Sequence, residues 1–378
     1  MMPPLHPVQQ AFAQLLRGEP TGLAAFGLAP DAFLRTCVDE DLAGLVYERL
    51  RRQRDTTGWP DGLRAALAEH LRAETAAELV RRAEVIRVLE ALSANAVRPL
   101  LLKGTPLAYL LYNAPHLRPR CDVDLLIPRA RLEAATATLR SLGYAAPPYC
   151  GGELLFGQVV FVRTDALGID HVIDLHWKLS TQAVVADLLT YDDIAHLSVS
   201  VPALGPIART AGLVHALLIA SVHGVVHHRN IERLIWIHDI HLLASRLRPS
   251  DLEAFVDRAI GGRVAAVCAH SLRLSRARLG TIVPDKVLRS LEAAGLDEPS
   301  AAYLRPGRTW RHEQMSTLRS LAGWPDRLRL AREVLLPAPD YMRQRYGLVS
   351  GSVSTWLLPA CYVYRTVRGG VDVLRGRK

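Results

Sequence analysis

Two carboxylates, Asp122 and Asp124, stand two positions apart immediately before an apolar run, Leu125-Leu-Ile127. On a β-strand, residues i and i+2 point to the same face, so both carboxylates would enter one small volume. Adjacent negative charges raise each other's pKa unless a cation lies between them. Mg²⁺ and Mn²⁺ are the cations that prefer carboxylate and phosphate oxygens. This segment therefore predicts a strand whose polar face binds a divalent metal ion.

A second candidate element precedes this strand. The apolar run Leu100-Leu-Leu102 leads into Lys103, Gly104 and Thr105, and Pro106 then stands early in a helix-like segment. The free amides of such a helix start suit a phosphate group, and Lys103 could balance the charge of a triphosphate. The alternative is an ordinary strand-to-helix turn beside a solvated lysine.

A third element follows the paired carboxylates. The alternating run Ile169–Trp177 predicts a strand with Asp170, Asp174 and His176 on one face and Trp177 facing the core. On a neighbouring strand, Asp174 would join the metal site, with Asp170 as the next candidate. His176 could either contact a phosphate group or hold the carboxylate of Asp174 in one orientation.

The alternative for Asp174 is a salt bridge to Arg118 or Arg120. A lone Asp-x-Asp pair is a weak signal, because acidic pairs are common on solvated strands. Here the pair adjoins apolar residues, and a charge in apolar surroundings needs a partner or a metal. The combination with Gly104, Thr105 and Asp174 favours a catalytic site.

This set of elements resembles the active site of the polymerase-β-like nucleotidyltransferases. A closer likeness, over roughly residues 80 to 350, is to a bacterial subgroup usually described only as uncharacterised nucleotidyltransferases. The matching segments are Leu101-Leu-Lys-Gly104, Arg118-Pro119, Asp122-Val-Asp-Leu-Leu-Ile127, Ile173-Asp-Leu-His-Trp177, Arg233-Leu-Ile-Trp-Ile-His-Asp239 and Leu336-Pro-Ala-Pro339. Two features depart from the wider superfamily: Thr105 replaces the usual Ser, and eighteen positions separate Gly104 from Asp122, a longer spacing that the subgroup shares.

The resemblance implies a metal-dependent transfer of a nucleotidyl group from a nucleoside triphosphate (NTP) to an acceptor hydroxyl or phosphate, with release of pyrophosphate. Asp122 and Asp124 would bind two Mg²⁺ or Mn²⁺ ions. Asp174 would bind the first of these ions and could accept the proton of the acceptor. These three are the candidate catalytic and metal-binding residues.

The candidate nucleotide-binding residues are Lys103, Gly104, Thr105, Arg118 and His176. The acceptor is not readable from the sequence, so nucleic acid, a small molecule, a carbohydrate and a peptide remain open. Two other functions also stay open. One is a non-catalytic nucleotide-binding or scaffolding protein, and the other is an enzyme of the same fold that transfers a sugar or another phosphate-linked group.

Hydrophobic periodicity predicts a segment of strands and helices between extensive helical regions, and the resemblance implies that this segment is a small mixed β-sheet core, so the expected class is α+β. We expect an N-terminal helical region over residues 1–97, a catalytic core over 98–204, a helical domain over 205–300 and a basic C-terminal region over 301–378. The spacing of Leu63, Leu67 and Leu71 predicts a long helix that begins at Asp61 and reaches Leu92.

The net charge of +9 is confined to the end of the chain. Residues 305–378 contain 14 Lys and Arg against five Asp and Glu, and residues 1–304 contain 32 of each. Such a segment suits a phosphate-bearing ligand, a nucleic acid or an anionic membrane surface. The alternative is a solubilising basic face.

Five scattered cysteines argue against a disulfide framework or a zinc site. We see no secretory signal, and the most apolar stretch, residues 211–226, contains two histidines and falls short of a membrane span. The expected location is therefore the cytoplasm. His223, His227, His238, Asp239 and His241 raise the alternative of a metal or phosphohydrolase centre, but packed histidines on helices fit better because no familiar ligand spacing is present.

Overall fold

The computed structural model describes residues 6–53, 57–146, 157–180, 182–186, 188–305, 323–348 and 352–374. Helices predominate, and six strands form one mixed sheet. The predicted α+β class is confirmed. The loop predicted over 145–152 lies mostly outside the described residues, as does the hinge at Pro306.

The elements that lead up to the first strand are α1 (Pro7–Arg17), α2 (Pro30–Asp39), α3 (Ala43–Arg52) and α4 (Asp61–Ala94). The sheet region contains β1 (Leu100–Leu102), α5 (Gly104–Leu110), β2 (Val123–Leu126), α6 (Leu132–Ser141), β3 (Gln158–Thr164), β4 (Asp170–His176), α7 (Ala183–Ala186), α8 (Tyr191–His196), β5 (Val199–Ser200) and β6 (Arg209–Thr210).

The later helices are α9 (Leu213–Val222), α10 (Leu234–Ala244), α11 (Pro249–Gly261), α12 (Ala265–Leu279), α13 (Asp285–Ala294), α14 (Trp324–Leu335), α15 (Pro339–Arg345) and α16 (Ser352–Leu374). A π-helical turn, His223–His227, extends α9. None of the helices in the described part of the chain is long and apolar enough to cross a lipid bilayer.

The strand order in the sheet is β3-β4-β2-β1-β6-β5. β1 and β2 are antiparallel, and β2 and β4 are parallel. The central strand β2 therefore lies directly between β1, which leads into Lys103, and β4, which contains Asp174. All three predicted site segments belong to adjacent strands because of this order.

Most predicted boundaries agree with the structure within a few residues. The long helix α4 begins at Asp61 as predicted and ends at Ala94. The apolar pattern after Gly104 predicts a helix over about residues 105–113, but α5 ends at Leu110. The sequence also predicts a helical region over residues 206–280 with breaks near Arg229 and at Gly261-Gly262. A further break, between α10 and α11, was not predicted, although Pro249 at the start of α11 is a helix-start signal.

Three apolar clusters form the core. One lies between the sheet, α4 and α6, and includes Leu89, Leu125 and Phe161. A second joins the N-terminal helices to α10 and α12. A third fills the later helical region and reaches the sheet through Leu100 and Leu102. The division of the chain into four domains remains a prediction.

A buried ion pair joins the segment before β2 to α10. Arg118 donates from Nε and Nη2 to the carboxylate of Asp239 at 2.9–3.1 Å, and Tyr112 donates its hydroxyl to Asp239 at 2.6 Å. Both charged side chains are almost fully buried. Removal of one partner from such a pair leaves a buried charge without compensation.

We therefore expect Asp239→Ala to lower the free energy of unfolding by about 3–5 kcal/mol. The matched control is Asp285→Ala, which breaks a solvent-exposed pair with Arg276 and should lower the free energy of unfolding far less than Asp239→Ala does. Urea unfolding followed by circular dichroism measures both values. Equal, small losses in the two variants would contradict a structural role for the Arg118–Asp239 pair.

Candidate functional site

The strand register places two of the predicted carboxylates side by side. Asp124 on β2 is the register partner of Asp174 on the parallel strand β4. On the other side, Asp124 is opposite Leu102, the last residue of β1. The chain leaves β1 at Lys103, so the lysine and both carboxylates meet at one edge of the sheet.

Asp124 is a buried carboxylate with two basic partners. Its Oδ1 accepts a hydrogen bond from Lys103 Nζ at 2.5 Å and one from His176 Nε2 at 2.8 Å. Burial by itself would raise the pKa of Asp124, but the charge of Lys103 and the imidazole of His176 outweigh it and hold that pKa well below its usual range. Asp124 is therefore ionised across the physiological pH range.

Lys103 reaches this position through an unusual backbone conformation. Its φ is 53° and its ψ is −131°, which lies in a region that L-residues rarely adopt. Such a residue costs about 1–3 kcal/mol and persists only where its surroundings hold it. Here the ion pair with Asp124 supplies a favourable interaction at the same residue.

Asp174 completes a compact polar group with Asp124 and His176. One potential ligand atom from each residue lies within 4.8 Å of the other two, the only such group in the part of the chain that the structure describes. Gln158 Nε2 also donates to Asp174 Oδ2 at 3.3 Å. Burial first, and then the negative charge of Asp124, raise the pKa of Asp174. This is the signature of a carboxylate that lacks a sufficient positive charge nearby.

Asp122 lies one residue before β2 and lines the adjoining cleft with Asp124. It is not part of the compact group. Burial, followed by the charges of Asp124 and Asp174, raises the pKa of Asp122 to about 6. The three carboxylates therefore interact electrostatically, but only Asp124 has a strong ionic partner.

The cleft beside these carboxylates has a volume of about 410 Å³, a size typical of small-molecule sites. One wall contains Lys103, Gly104, Asp122 and Asp124. Another part of the lining, the helical wall, comes from the later helical region and includes Ile219, His223, His228 and Trp236. A site that combines charged groups with apolar and aromatic groups suits a ligand with both kinds of surface.

Gly104 and Thr105, the two residues predicted at the turn after Lys103, differ in their access to the cleft. Gly104 lines the cleft, and a Cβ at this position would lie 3.5–3.7 Å from the Arg118 guanidinium. Thr105 is buried beneath the turn, is not among the described residues of the cleft wall, and its hydroxyl has no hydrogen-bond partner. His176 is also buried, and its Nε2 lies 2.8 Å from Asp124 Oδ1.

Arg118 lines the cleft, but Asp239 and a backbone carbonyl occupy its donors. Besides the bonds to Asp239, its Nη1 donates to the carbonyl oxygen of Pro119 at 2.8 Å. The salt bridges suggested for Asp174 are absent among the described residues, because Arg118 pairs with Asp239 and Arg120 with Glu78. Asp174 is left available for another partner.

The histidines of the helical wall are packed against each other and against Trp236. The ring centroids of His223 and Trp236 lie 5.2 Å apart, and those of His228 and Trp236 lie 4.4 Å apart. Burial holds the pKa of His223 well below its usual value, so this imidazole is neutral. This arrangement fits the packed histidines predicted from the sequence.

The chain matches the model of a family described as uncharacterised nucleotidyltransferase over residues 27–280, about two thirds of its length. The chain belongs to this family. The matched range includes β1, β2 and β4 and the helical wall of the cleft. No curated protein matches the chain.

Sequence reasoning missed the contacts that three residues make with this site or with its arginines. Asp239 was named only in a matching segment and in the alternative histidine centre. Gln158 gave no signal because β3 pairing alone brings it to Asp174, and Glu78 resembled any charged residue of a long helix. Asp239 and Glu78 contact arginines from distant parts of the sequence, which a single sequence does not reveal.

The two aspartates should respond in opposite directions to the same substitution. In a metal chelator at pH 8, we expect Asp122→Asn to raise the free energy of unfolding by about 1–2 kcal/mol, less than its pKa displacement implies because Asp122 is partly solvated. The gain should shrink toward pH 5, since the folded-state pKa lies above the usual 3.8 and the folded protein then takes up a proton.

Asp124→Asn should instead lower the free energy of unfolding by about 3–5 kcal/mol, because Lys103 loses its buried partner. Urea unfolding at the two pH values measures both effects. A loss of stability in both variants at pH 8 would show that the ionised Asp122 carboxylate does not destabilise the folded protein.

Proposed function

We propose that this nucleotidyltransferase transfers a nucleotidyl group from an NTP to an acceptor hydroxyl or phosphate, releases pyrophosphate and requires Mg²⁺ or Mn²⁺. The observation that supports the proposal most directly is the pairing of Asp124 with Asp174 beside the cleft. The order of strand, Gly-Thr turn and paired carboxylates also supports membership of the polymerase-β-like group.

The donor set fits a divalent metal ion. Asp122 and Asp174 have raised pKa values because they are buried close to other carboxylates, and a cation would relieve that repulsion. Asp122, Asp124 and Asp174 would hold the metal, which when bound would neutralise the triphosphate and lower the pKa of the acceptor hydroxyl. His176 would fix the orientation of Asp124, as a residue behind a ligand commonly does.

The protein's own residues have distinct proposed roles in the transfer. Asp174 has one weak hydrogen bond, from Gln158, and a raised pKa, so it is suited to accept the proton of an acceptor hydroxyl. Lys103 carries a positive charge at the junction of the cleft and the carboxylates, and can move from Asp124 to a phosphate when another cation binds Asp124.

Gly104 and Thr105 would contribute to the phosphate site. Gly104 presents backbone without a side chain to the cleft, which permits close approach of a ligand. The buried Thr105 hydroxyl lacks a partner in the described part of the chain, and such a group usually has one. His176 and Arg118 are proposed to support the site from behind, since both already bind protein carboxylates.

A second candidate function is nucleotide binding without catalysis. The specific observation in its favour is that Lys103 already neutralises Asp124, so the site can exist in a stable state without metal. Transfer of a different phosphate-linked group by the same site would use the same residues. Turnover assays separate these functions.

The direct test is incubation of the protein with each NTP and Mg²⁺ or Mn²⁺, with pyrophosphate release and a labelled product as readouts. We expect metal to raise the melting temperature, and more so with NTP present, because a ligand that binds only the folded state stabilises it. Asp122→Asn should abolish the gain from metal. A metal-induced shift that persists in this variant would place the metal elsewhere.

Asp174→Asn separates an active transferase from a nucleotide-binding protein. It should retain appreciable NTP affinity and lose turnover by about 10²–10⁴-fold, the range typical of a positioned proton acceptor. The matched control is Asp170→Asn on the same strand, whose carboxylate accepts a hydrogen bond from Thr164 instead. Equal turnover in the Asp174→Asn variant and the intact protein would refute the assignment of Asp174.

Gly104→Ala tests the phosphate-binding turn. A Cβ here makes only ordinary contacts with Arg118, so the free energy of unfolding should change by less than about 1 kcal/mol. NTP affinity should fall at least about tenfold if a phosphate approaches this backbone closely. Gly62→Ala, where a Cβ meets nothing within 4 Å, is the control. Unchanged NTP affinity with Gly104→Ala would indicate a purely structural turn.

A further inference from the structure

Arg120 is a buried guanidinium with unused hydrogen-bond donors beside the cleft. Its side chain is only 4% exposed, and Glu78, its ion-pair partner among the described residues, accepts from Nη2 at 2.7 Å. Its Nε and Nη1 are buried and have no hydrogen-bond partner among the described residues. Buried donors of a charged group are costly to leave unpaired, so this arrangement calls for a ligand.

The surroundings of Arg120 hold the guanidinium in place. Tyr109 lies with its ring centroid 5.5 Å from the Arg120 guanidinium carbon, and its hydroxyl donates to the same Glu78 oxygen that accepts from Arg120. Glu78 is itself buried on α4. Arg120 is thus fixed by a ring and a carboxylate, while two donors remain for an anion.

The position of Arg120 identifies the class of ligand. It lines the cleft together with Lys103 and stands two residues before Asp122. An anion there would be close to a lysine and next to the proposed metal ligands. Hydrogen bonds from a guanidinium to phosphate oxygens are charge-assisted and are among the strong hydrogen bonds in proteins.

We propose that Arg120 binds a phosphate group of the substrate, a role that sequence reasoning gave to Arg118. Arg118 donates to Asp239 and Pro119, whereas Arg120 keeps Nε and Nη1 for the ligand. This inference rests on the proposed function for the source of the phosphate, which is either the NTP or a phosphorylated acceptor. The binding of a phosphate group itself does not depend on turnover.

The experiment measures the affinity of the full chain for inorganic pyrophosphate by calorimetry, with and without Mg²⁺. We expect Arg120→Gln to weaken pyrophosphate binding by about tenfold or more, the effect of losing charged hydrogen bonds. Arg120→Lys keeps the positive charge opposite Glu78 but loses the separate Nε and Nη1 donors, so its pyrophosphate affinity should be intermediate. Arg163→Gln, which breaks a comparable pair with Glu84, is the control and should leave pyrophosphate affinity unchanged.

Pyrophosphate affinity in Arg120→Gln within twofold of that of the intact protein would overturn the proposal. If that variant does not fold, Arg120→Lys decides in the same way. Failure of the intact protein to bind pyrophosphate or NTP would also overturn it. Pyrophosphate binding without turnover would support the phosphate site at Arg120 and would contradict the proposed nucleotidyl transfer. Where turnover is found, a rise in KM for the NTP or for the acceptor identifies which of them supplies the phosphate.

A separate observation concerns the basic C-terminal region. α16 exposes Trp356, Val363 and Val367, which are spaced by seven and four residues and therefore lie on one side of the helix. Trp356 is 83% exposed. α14 repeats the pattern with Trp324 and Leu328. These side chains form two outward apolar stripes.

The other side of α16 is in contact with the preceding segment. Tyr362 donates its hydroxyl to the carbonyl oxygen of Pro337 at 2.6 Å, and Arg365 donates to the carbonyl oxygen of Val334 at 2.6 Å. The stripe lies on the part of α16 that faces away from these two contacts. Residues 305–378, the part of the sequence that contains α14 and α16, hold the whole positive excess of the protein.

We infer that the outward stripe of α16 lies in the surface of an anionic lipid bilayer. Tryptophan and aliphatic side chains enter the boundary between headgroups and acyl chains, and nearby basic residues attract anionic lipids. A nucleic acid would use the basic residues but would gain nothing from an aliphatic stripe. The combination of charge and stripe therefore favours the lipid surface.

The test is flotation of the full chain with phosphatidylcholine vesicles with and without phosphatidylglycerol. We expect binding to the anionic vesicles alone, weakened by salt. Trp356→Ser with Val363→Ser should reduce vesicle binding at least about tenfold, since two apolar side chains are lost. The control pair is Ile282→Ser with Leu296→Ser, which are exposed elsewhere on the protein. Pyrophosphate affinity should be unchanged in both pairs.

Three results would overturn the lipid proposal. The first is no flotation with anionic vesicles, and the second is equal flotation of the intact protein and the stripe variant. The third is a dimer of the intact protein that the stripe variant abolishes, because a second copy would then cover this face. Retention by a DNA or RNA oligomer without vesicle binding would assign the basic region to nucleic acid instead.

Discussion

The buried carboxylate of Asp124 is the group on which the arrangement of the site depends. It is buried on the central strand β2 and has little contact with water, so Lys103 and His176 stabilise it as an anion. Lys103 in turn occupies a strained backbone conformation at the end of β1. The favourable ion pair between Lys103 and Asp124 therefore offsets the cost of the strained backbone at Lys103.

The segment that leads into β2 is held from two sides by its arginines. Arg118 pairs with Asp239 on α10, and Arg120 pairs with Glu78 on α4. These pairs attach the start of β2 to helices from distant parts of the sequence, and so fix the position of Asp122 relative to the cleft. The two arginines differ in what they leave free, because only Arg120 retains unpaired donors in the described structure.

The three carboxylates of the cluster differ in how well nearby positive charges compensate them. Asp124 is neutralised by protein groups, whereas Asp122 and Asp174 have raised pKa values. A cation that enters the site would therefore gain most from the two carboxylates that lack a basic partner. Family membership identifies the chain as a nucleotidyltransferase. If the proposed metal ion binds, the charges around Asp122 and Asp174 will differ from those of the metal-free protein.

The sequence by itself determined the α+β class and the strands that contain Asp124 and Asp174, but it did not predict the short strands β5 and β6. Periodicity of two fixes the face of Asp124, and the alternation around Asp174 predicts its strand, because these are local properties of the backbone. Only the tertiary structure decided which charges pair. Arg118 binds Asp239 across 121 residues, and Lys103 binds Asp124 across 21. Such long-range contacts depend on strand order and helix packing. The alternation of polar and apolar residues along one segment carries no information about strand order or helix packing. For the same reason the sequence indicated Arg118 as the ligand-binding arginine, while the packing around Glu78 and Asp239 left the unpaired donors on Arg120.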